Sequence, residues 1–488
     1  MKNLASAVRV SLSALGAVAL AVSALAADKI PITTSSEEAR QLYLKGRDLS
    51  EKLRATDAHA LFAQAAAKDP AFALAQVGIA NNSGTAKEFF AATAKAVELS
   101  AKASEPERLV ICALDAGAKA EPARQQDCLT KLVQAVPDDE RAHNQLGQFL
   151  FGRQDYAAAI AEYKKATSIN PQFSAPHNQM GYAYRFMGQY PEAEQAFKKY
   201  IELIPGDPNP YDSYAELLMK TGRFEESIKN YEKALSVDPN FIASHIGIGN
   251  NYVFMGKPEE ARKSYAKMAA VARNDGEKLQ AHFWTAMSYV HEGATDKALA
   301  EVEKMAAIDQ AGKDLVALSG AQNQMGDILI EAGRVDEAAK KYAEQVATIE
   351  KADAPAQVKE ATRRQALFDE ARVALARHDV AGAKAKAAAY ATAVAAHKVP
   401  FEVRQTHELA GRIALEEKKG AVAVAELAQA NQQDPRVLYL LAIAHQAAGD
   451  PVKAKQAGVQ AADFNGLSPN YGYVRGKAKA MVAAPKKN

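Results

Sequence analysis

The stretch His143-Asn-Gln-Leu-Gly-Gln-Phe-Leu returns 34 residues later as His177-Asn-Gln-Met-Gly-Tyr-Ala-Tyr, and its reading decides the fold. The same step carries the first slot on to Tyr211 and His245. Three residues after it stand Leu146, Met180, Tyr214 and Ile248, followed at once by the small residues Gly147, Gly181, Ala215 and Gly249. A second cluster opens at Ala159, Ala193, Ser227 and Ala261, with Tyr163, Phe197, Tyr231 and Tyr265 four residues on. Pro171, Pro205 and Pro239 close three of the units. So many slots in phase across residues 138–273 make this a repeat.

The spacing within each cluster, steps of three and four, lays its marked residues along one stripe of an α-helix. Small residues in both stripes let two antiparallel helices approach closely. The large residues at the flanks are expected to fill the seam between one hairpin and the next. Proline stops the second helix, since it lacks an N–H and clashes with the preceding turn. The loops at 152–155, 188–191, 222–225 and 256–259 each begin with glycine, which suits a left-handed residue closing the first helix. Strand-like alternation of β-branched residues is nearly absent, so the expected class is all-α.

The unit length and the order of residues resemble the tetratricopeptide repeat (TPR). The resemblance implies an α-solenoid, a right-handed superhelix of about twelve stacked antiparallel helix pairs. Its concave wall would be lined by the first helix of each pair. On this sequence the groove positions fall at Asn144 and Gln148, Asn178 and Tyr182, Asp212 and Glu216, and Ile246 and Asn250, with Arg185, Met219, Val253 and Phe254 just beyond. Asparagine follows the first slot at 144, 178 and 323. An amide both donates and accepts, so a row of asparagines suits the backbone of an extended peptide. A solvated polar face is the plainer reading of the same row. Asp212 and Glu216 break the groove with negative charge, which disfavours a clamp for a terminal carboxylate.

Outward from the four strong copies the pattern weakens. Residues 27–137 read as degenerate repeats, including a hairpin of helices near 106–118 and 122–136 that carries Cys112 and Cys128. These are the only cysteines. They stand nearly opposite each other across the turn, so a disulfide across the hairpin is expected in an oxidising compartment, with two packed free thiols as the competing reading. Ser35 with Glu38 reads as a capping box for the first helix. Residues 274–463 hold further, partly degenerate units, and 464–488 a capping helix with a frayed tail. Trp284 fits either a filler between repeats or a contact anchor.

Residues 1–26 read as an export signal. Lys2 and Arg9 precede an apolar run from Val10 to Val22, and Ala24-Leu25-Ala26 offers a cleavage site between Ala26 and Ala27. The run is short for a membrane span. A periplasmic or secreted mature chain is expected, with no membrane insertion; an uncleaved anchor is the competing reading. Without Lys2 and Arg9 the remaining lysines and arginines match the 58 acidic residues in number. Such a balance gives no field for nucleic acid.

His407-Glu-Leu-Ala-Gly411 starts like a zinc helix, but glycine stands where the second histidine must bind. No catalytic, metal or cofactor residue is expected, and the histidines at 143, 177, 245, 282 and 407 share one packing slot. The expected function is an exported, non-enzymatic scaffold holding a protein or peptide in the groove. The alternative is a periplasmic component of an export or uptake system that binds a small molecule or polysaccharide.

Overall fold

The computed structural model describes residues 29–483 except 398 and 467. The expected export signal, with its cut between Ala26 and Ala27, lies outside the described residues. The described residues form 25 α-helices, a short 3-10 turn and no strand.

The helices come in antiparallel pairs. The N-terminal pairs are α1 (Glu37–Glu51) with α2 (Ala55–Lys68), α3 (Ala73–Asn81) with α4 (Ala86–Leu99), and α5 (Glu105–Ala118) with α6 (Pro122–Ala135). Next come α7 (Glu140–Gly152) with α8 (Tyr156–Ile169), α9 (Ala175–Phe186) with α10 (Tyr190–Leu203), and α11 (Asn209–Lys220) with α12 (Phe224–Val237). They continue as α13 (Ile242–Phe254) with α14 (Pro258–Val271), α15 (Asp275–Glu292) with α16 (Thr295–Ala311), and α17 (Leu315–Glu331) with α18 (Val335–Lys351). The last are α19 (Ala356–Ala376) with α20 (Val380–His397), α21 (Pro400–Glu416) with α22 (Gly420–Leu427), and α23 (Pro435–Ala447) with α24 (Pro451–Ala462). A single helix, α25 (Pro469–Ala483), ends the stack.

Several hairpins are held by a ring over a glycine. A Cβ added at Gly147 would lie 2.5 Å from the Tyr163 ring, at Gly181 2.5 Å from Phe197, and at Gly249 2.2 Å from Tyr265. These rings fill the space inside their own hairpin and also meet the next one, where Tyr163 joins Met180 and Ala183, Phe197 joins Leu217, and the Tyr231 ring lies 2.0 Å from a Cβ added at Gly247. They are fully buried. The helix-to-helix turns use left-handed glycine at Gly188, Gly222 and Gly256, with φ of 74°, 78° and 76°. In the turn at 152–155 the left-handed residue is Gln154, at φ 64°, because Gly152 is still helical. The first helix is capped by Ser36, whose side chain accepts from the Ala39 N–H. Ser35 turns away to donate to Asp69. In the hairpin of α5 and α6, Cys112 and Cys128 are joined as a disulfide, with Cα atoms 6.0 Å apart.

From α7 to α15 each odd helix touches the next odd helix, while no even helix makes a comparable contact with the next even one among the described residues. The odd helices therefore sit at the smaller radius and form the inner wall. The stack winds far enough to meet itself. Thr56, at the start of α2, donates to Glu277 on α15 at 2.8 Å, and Arg273 pairs with Asp57 at 2.9 Å. The second pair meets α17. Farther along, Gln154 donates to Asn431 at 3.4 Å and Gln433 to the Phe186 carbonyl at 3.2 Å. Helix α25 packs on α23 and α24 and reaches across to α15.

Candidate functional site

Where the two layers meet, they enclose a half-open chamber of about 870 Å³. Tyr182 on α9 and Asn209, Asp212 and Glu216 on α11 form its inner wall, continued by Phe241, Ile242 and Ala243 at the start of α13. The facing side comes from the turns before α2 and α4 and from the first turns of α15. Repeat spacing sets the inner wall, whereas the facing side brings together Thr56 and Glu277, which lie 221 residues apart in sequence.

The polar groups of this wall are linked. Arg185 donates to Glu216 at 2.9 Å, and its guanidinium carbon lies 4.8 Å from the centre of the Tyr182 ring. Tyr182 donates to the Ser213 hydroxyl at 3.3 Å. Burial raises the phenol of Tyr182 well above its usual range, and the charge of Glu216 adds to the rise. Asn209 donates to the Tyr200 hydroxyl at 2.7 Å. Asp212 accepts from the Ser244 hydroxyl at 2.7 Å. Burial pushes the carboxyl of Asp212 up to about 8, with the charge of Glu216 adding to this and the Ser244 bond opposing it. On the facing side the charges are matched: Arg54 pairs with Asp57 and Asp238, and His59 with Glu88.

The predicted groove residues do not form one open row. Tyr182, Asp212 and Glu216 share the chamber, and Arg185 adjoins it through Glu216. Gln148 lines a separate cleft of about 380 Å³ beside α5 and α6. The asparagine ladder is not displayed: Asn144 and Asn178 are buried, and Asn250 is turned inward, donating to the Ile246 carbonyl and accepting from Tyr265. Asn323 is likewise spent internally, on Gln345 and Asp369, both at 3.0 Å. Only Asn250 of these bonds its own helix backbone. Phe254 is covered by the protein's own chain, since Tyr471 of α25 packs on it with ring centres 5.3 Å apart. Arg475 of the same helix donates to the Val253 and Phe254 carbonyls. Beyond α15 the inner wall pairs with itself: Arg372 binds Asp327 and Asp369, and Arg412 binds Glu408.

The chamber residues missed by sequence reasoning are Arg54, Asp57, His59, Glu88, Arg273 and Glu277. No signal in one repeat reports where the next turn of the superhelix will land. The Arg185–Glu216 pair could have been found, because both stand at inner-wall positions one unit apart.

Comparison with known families matches residues 150–217 to a tetratricopeptide repeat, 215–256 to a TPR repeat, and 113–172 and 246–314 to a tetratricopeptide repeat. Residues 113–314 carry tetratricopeptide repeats. Among solved structures, a chain of the APC/C hetero-tetramer Cut9–Hcn1 is 13% identical, covering 87% of this chain and 76% of its own at a TM-score of 0.43. A tetratricopeptide-repeat protein from Parabacteroides merdae is 14% identical, covering 54% of this chain and 99% of its own at 0.36. A TPR protein from Thermus thermophilus is 21% identical, covering 39% of this chain and 99% of its own at 0.33. No curated protein sequence matches the chain.

Proposed function

We propose that this TPR protein is an exported, non-enzymatic interaction scaffold that holds a segment of a partner protein in the chamber between its superhelical layers. The observation that carries this reading is the chamber itself. Its volume of about 870 Å³ falls in the usual range for binding pockets of roughly 300–1,000 Å³. It takes its inner wall from helices that a TPR array turns inward, and an aromatic ring and polar groups converge there. The histidines at 143, 282 and 407 are each bonded to a glutamate of the paired helix, at Glu162, Glu301 and Glu426, which is a structural use. Export is inferred from residues 1–26.

Plugging the mouth tests the reading. Asn240 and Gln280 line the chamber from exposed positions, so Asn240→Trp and Gln280→Trp narrow the opening with little cost to the core. Partner capture from envelope extract on the immobilised mature chain is expected to fall at least tenfold in both variants at an unchanged melting temperature. Undiminished capture by both rules the chamber out as the binding surface.

A further inference from the structure

We infer that the chamber is a seat for an alkylammonium or guanidinium group carried on an aliphatic stem. This rests on the reading of the chamber as the binding surface. Asp212 is only 5% exposed yet lines the chamber. Among the described residues its one side-chain hydrogen bond is the one from Ser244 to Oδ1, and no cation stands within ion-pair distance. Oδ2 is left without a donor. One turn along the same helix face, Glu216 already holds a cation in the manner proposed, since Arg185 bonds its carboxylate and lies over the Tyr182 ring. An aromatic face beside a carboxylate favours a cation doubly, through the ring quadrupole and through charge.

The remaining wall supplies the stem's surroundings. Leu53, Phe241, Ile242 and Leu279 are apolar and border the same space. The arginines that border it are committed elsewhere, Arg54 to Asp57 and Asp238, and Arg273 to Asp57 and Glu277. A methylene chain along the apolar side with its charged end at Asp212 would match both halves, as long cationic side chains do when they bury their stems. An ammonium beside Asp212 would also ionise it, releasing the proton that burial holds there. Around Asp212 the titratable groups are Glu216 on its own helix, Tyr182 and Arg185 on α9, Tyr200 on α10 and Tyr231 on α12, while α13 presents Ser244. None of these is a cation free to satisfy it.

The experiment titrates the mature full chain by calorimetry with the peptide acetyl-Gly-Gly-Lys-Gly-Gly-amide, its Nε-acetyl-lysine counterpart, and free 1,5-diaminopentane. The lysine peptide is expected to bind at least tenfold more tightly than the acetylated one. Its binding is expected to release a proton at neutral pH, read by comparing buffers of different ionisation enthalpy. Asp212→Asn, which keeps the shape and the Ser244 contact, is expected to abolish the release and weaken binding tenfold; Glu216→Gln is expected to weaken binding without abolishing the release. Equal affinity for both peptides, or unchanged binding in Asp212→Asn, overturns the seat. Binding of diaminopentane without the lysine peptide supports the seat but assigns it to a free amine, against a protein segment. If no probe binds while capture remains sensitive to Asn240→Trp, the seat falls and the chamber reading stands.

Discussion

Asp212 shows how one carboxyl can set the pH response of the inner wall. Its folded pKa, about 8, lies far above the usual carboxylate value, chiefly through burial. The folded state therefore holds this proton over a range where the unfolded chain has lost it. Its favourable contribution is complete below the unfolded pKa and is lost as pH rises from about 4 toward 8. Asp212→Asn removes that dependence while keeping the hydrogen bond from Ser244. Thermal melts at pH 4 and pH 8.5 are expected to coincide at the acid end. At the alkaline end the variant should be more stable by about 1–3 kcal/mol, allowing for relaxation around a buried group. Equal slopes for both proteins would show that the site is wetter than its burial implies. At this scale the sequence marked Asp212 and Glu216 as a negative interruption of the groove, and both line the chamber. It misread the asparagines, because burial decides whether an amide faces outward or inward. It also undervalued the histidine slot. His143, His282 and His407 each meet a glutamate 19 residues later, a spacing visible in the sequence once the hairpin partner is considered.

The hairpin is the element whose stability the sequence encodes most directly. Helices expected near 106–118 and 122–136 are found at Glu105–Ala118 and Pro122–Ala135. Apolar stripes and turn residues suffice for this, since both act locally. The partner of each aromatic was harder to see, because a ring can pack on either side of its helix. The missing glycine Cβ settles the matter: the ring of Tyr265 lies where a methyl at Gly249 would be. Gly249→Ala would gain helix propensity of about 1 kcal/mol. Against that, the methyl must displace a fully buried ring, and overpacking of this kind costs about 1–3 kcal/mol. Displacement of backbone-enclosed Tyr265 places the cost at the upper end, so chemical denaturation is expected to show a net loss of about 1–2 kcal/mol. The same substitution at Gly320, which has nothing within 4 Å of its added Cβ, serves as the control and should stabilise or leave stability unchanged. A stabilised Gly249→Ala would mean that the ring has another place to go.

The winding of the whole molecule was the least legible feature, because it accumulates from small rotations at every hairpin interface and no single residue encodes it. The sequence suggested an inner wall open along its length. Instead, successive layers touch, the C-terminal part of the wall is paired with itself, and α25 covers Phe254. The consequence is that the chamber exists only if α2 and α15 are neighbours. Their contact is polar: Thr56 donates to Glu277 and accepts from Asn274 at 3.2 Å, across a separation of 218 residues. Such a seam has little apolar area to hold it, so its presence in solution is a sharp test of the winding. Thr56→Cys with Asn274→Cys puts two thiols on side chains already in contact. Mild oxidation is expected to join them within one chain, seen as a faster-migrating band that reductant reverses. A loop this long should raise stability by a few kcal/mol through the unfolded state, on the order of 2–4. The rise will be smaller if the apparent unfolding begins elsewhere in the array, since repeat stacks need not melt as one unit. Cross-linking only between chains, or none at all, would mean that the layers are apart in solution and that the wall beside Asp212 lies open.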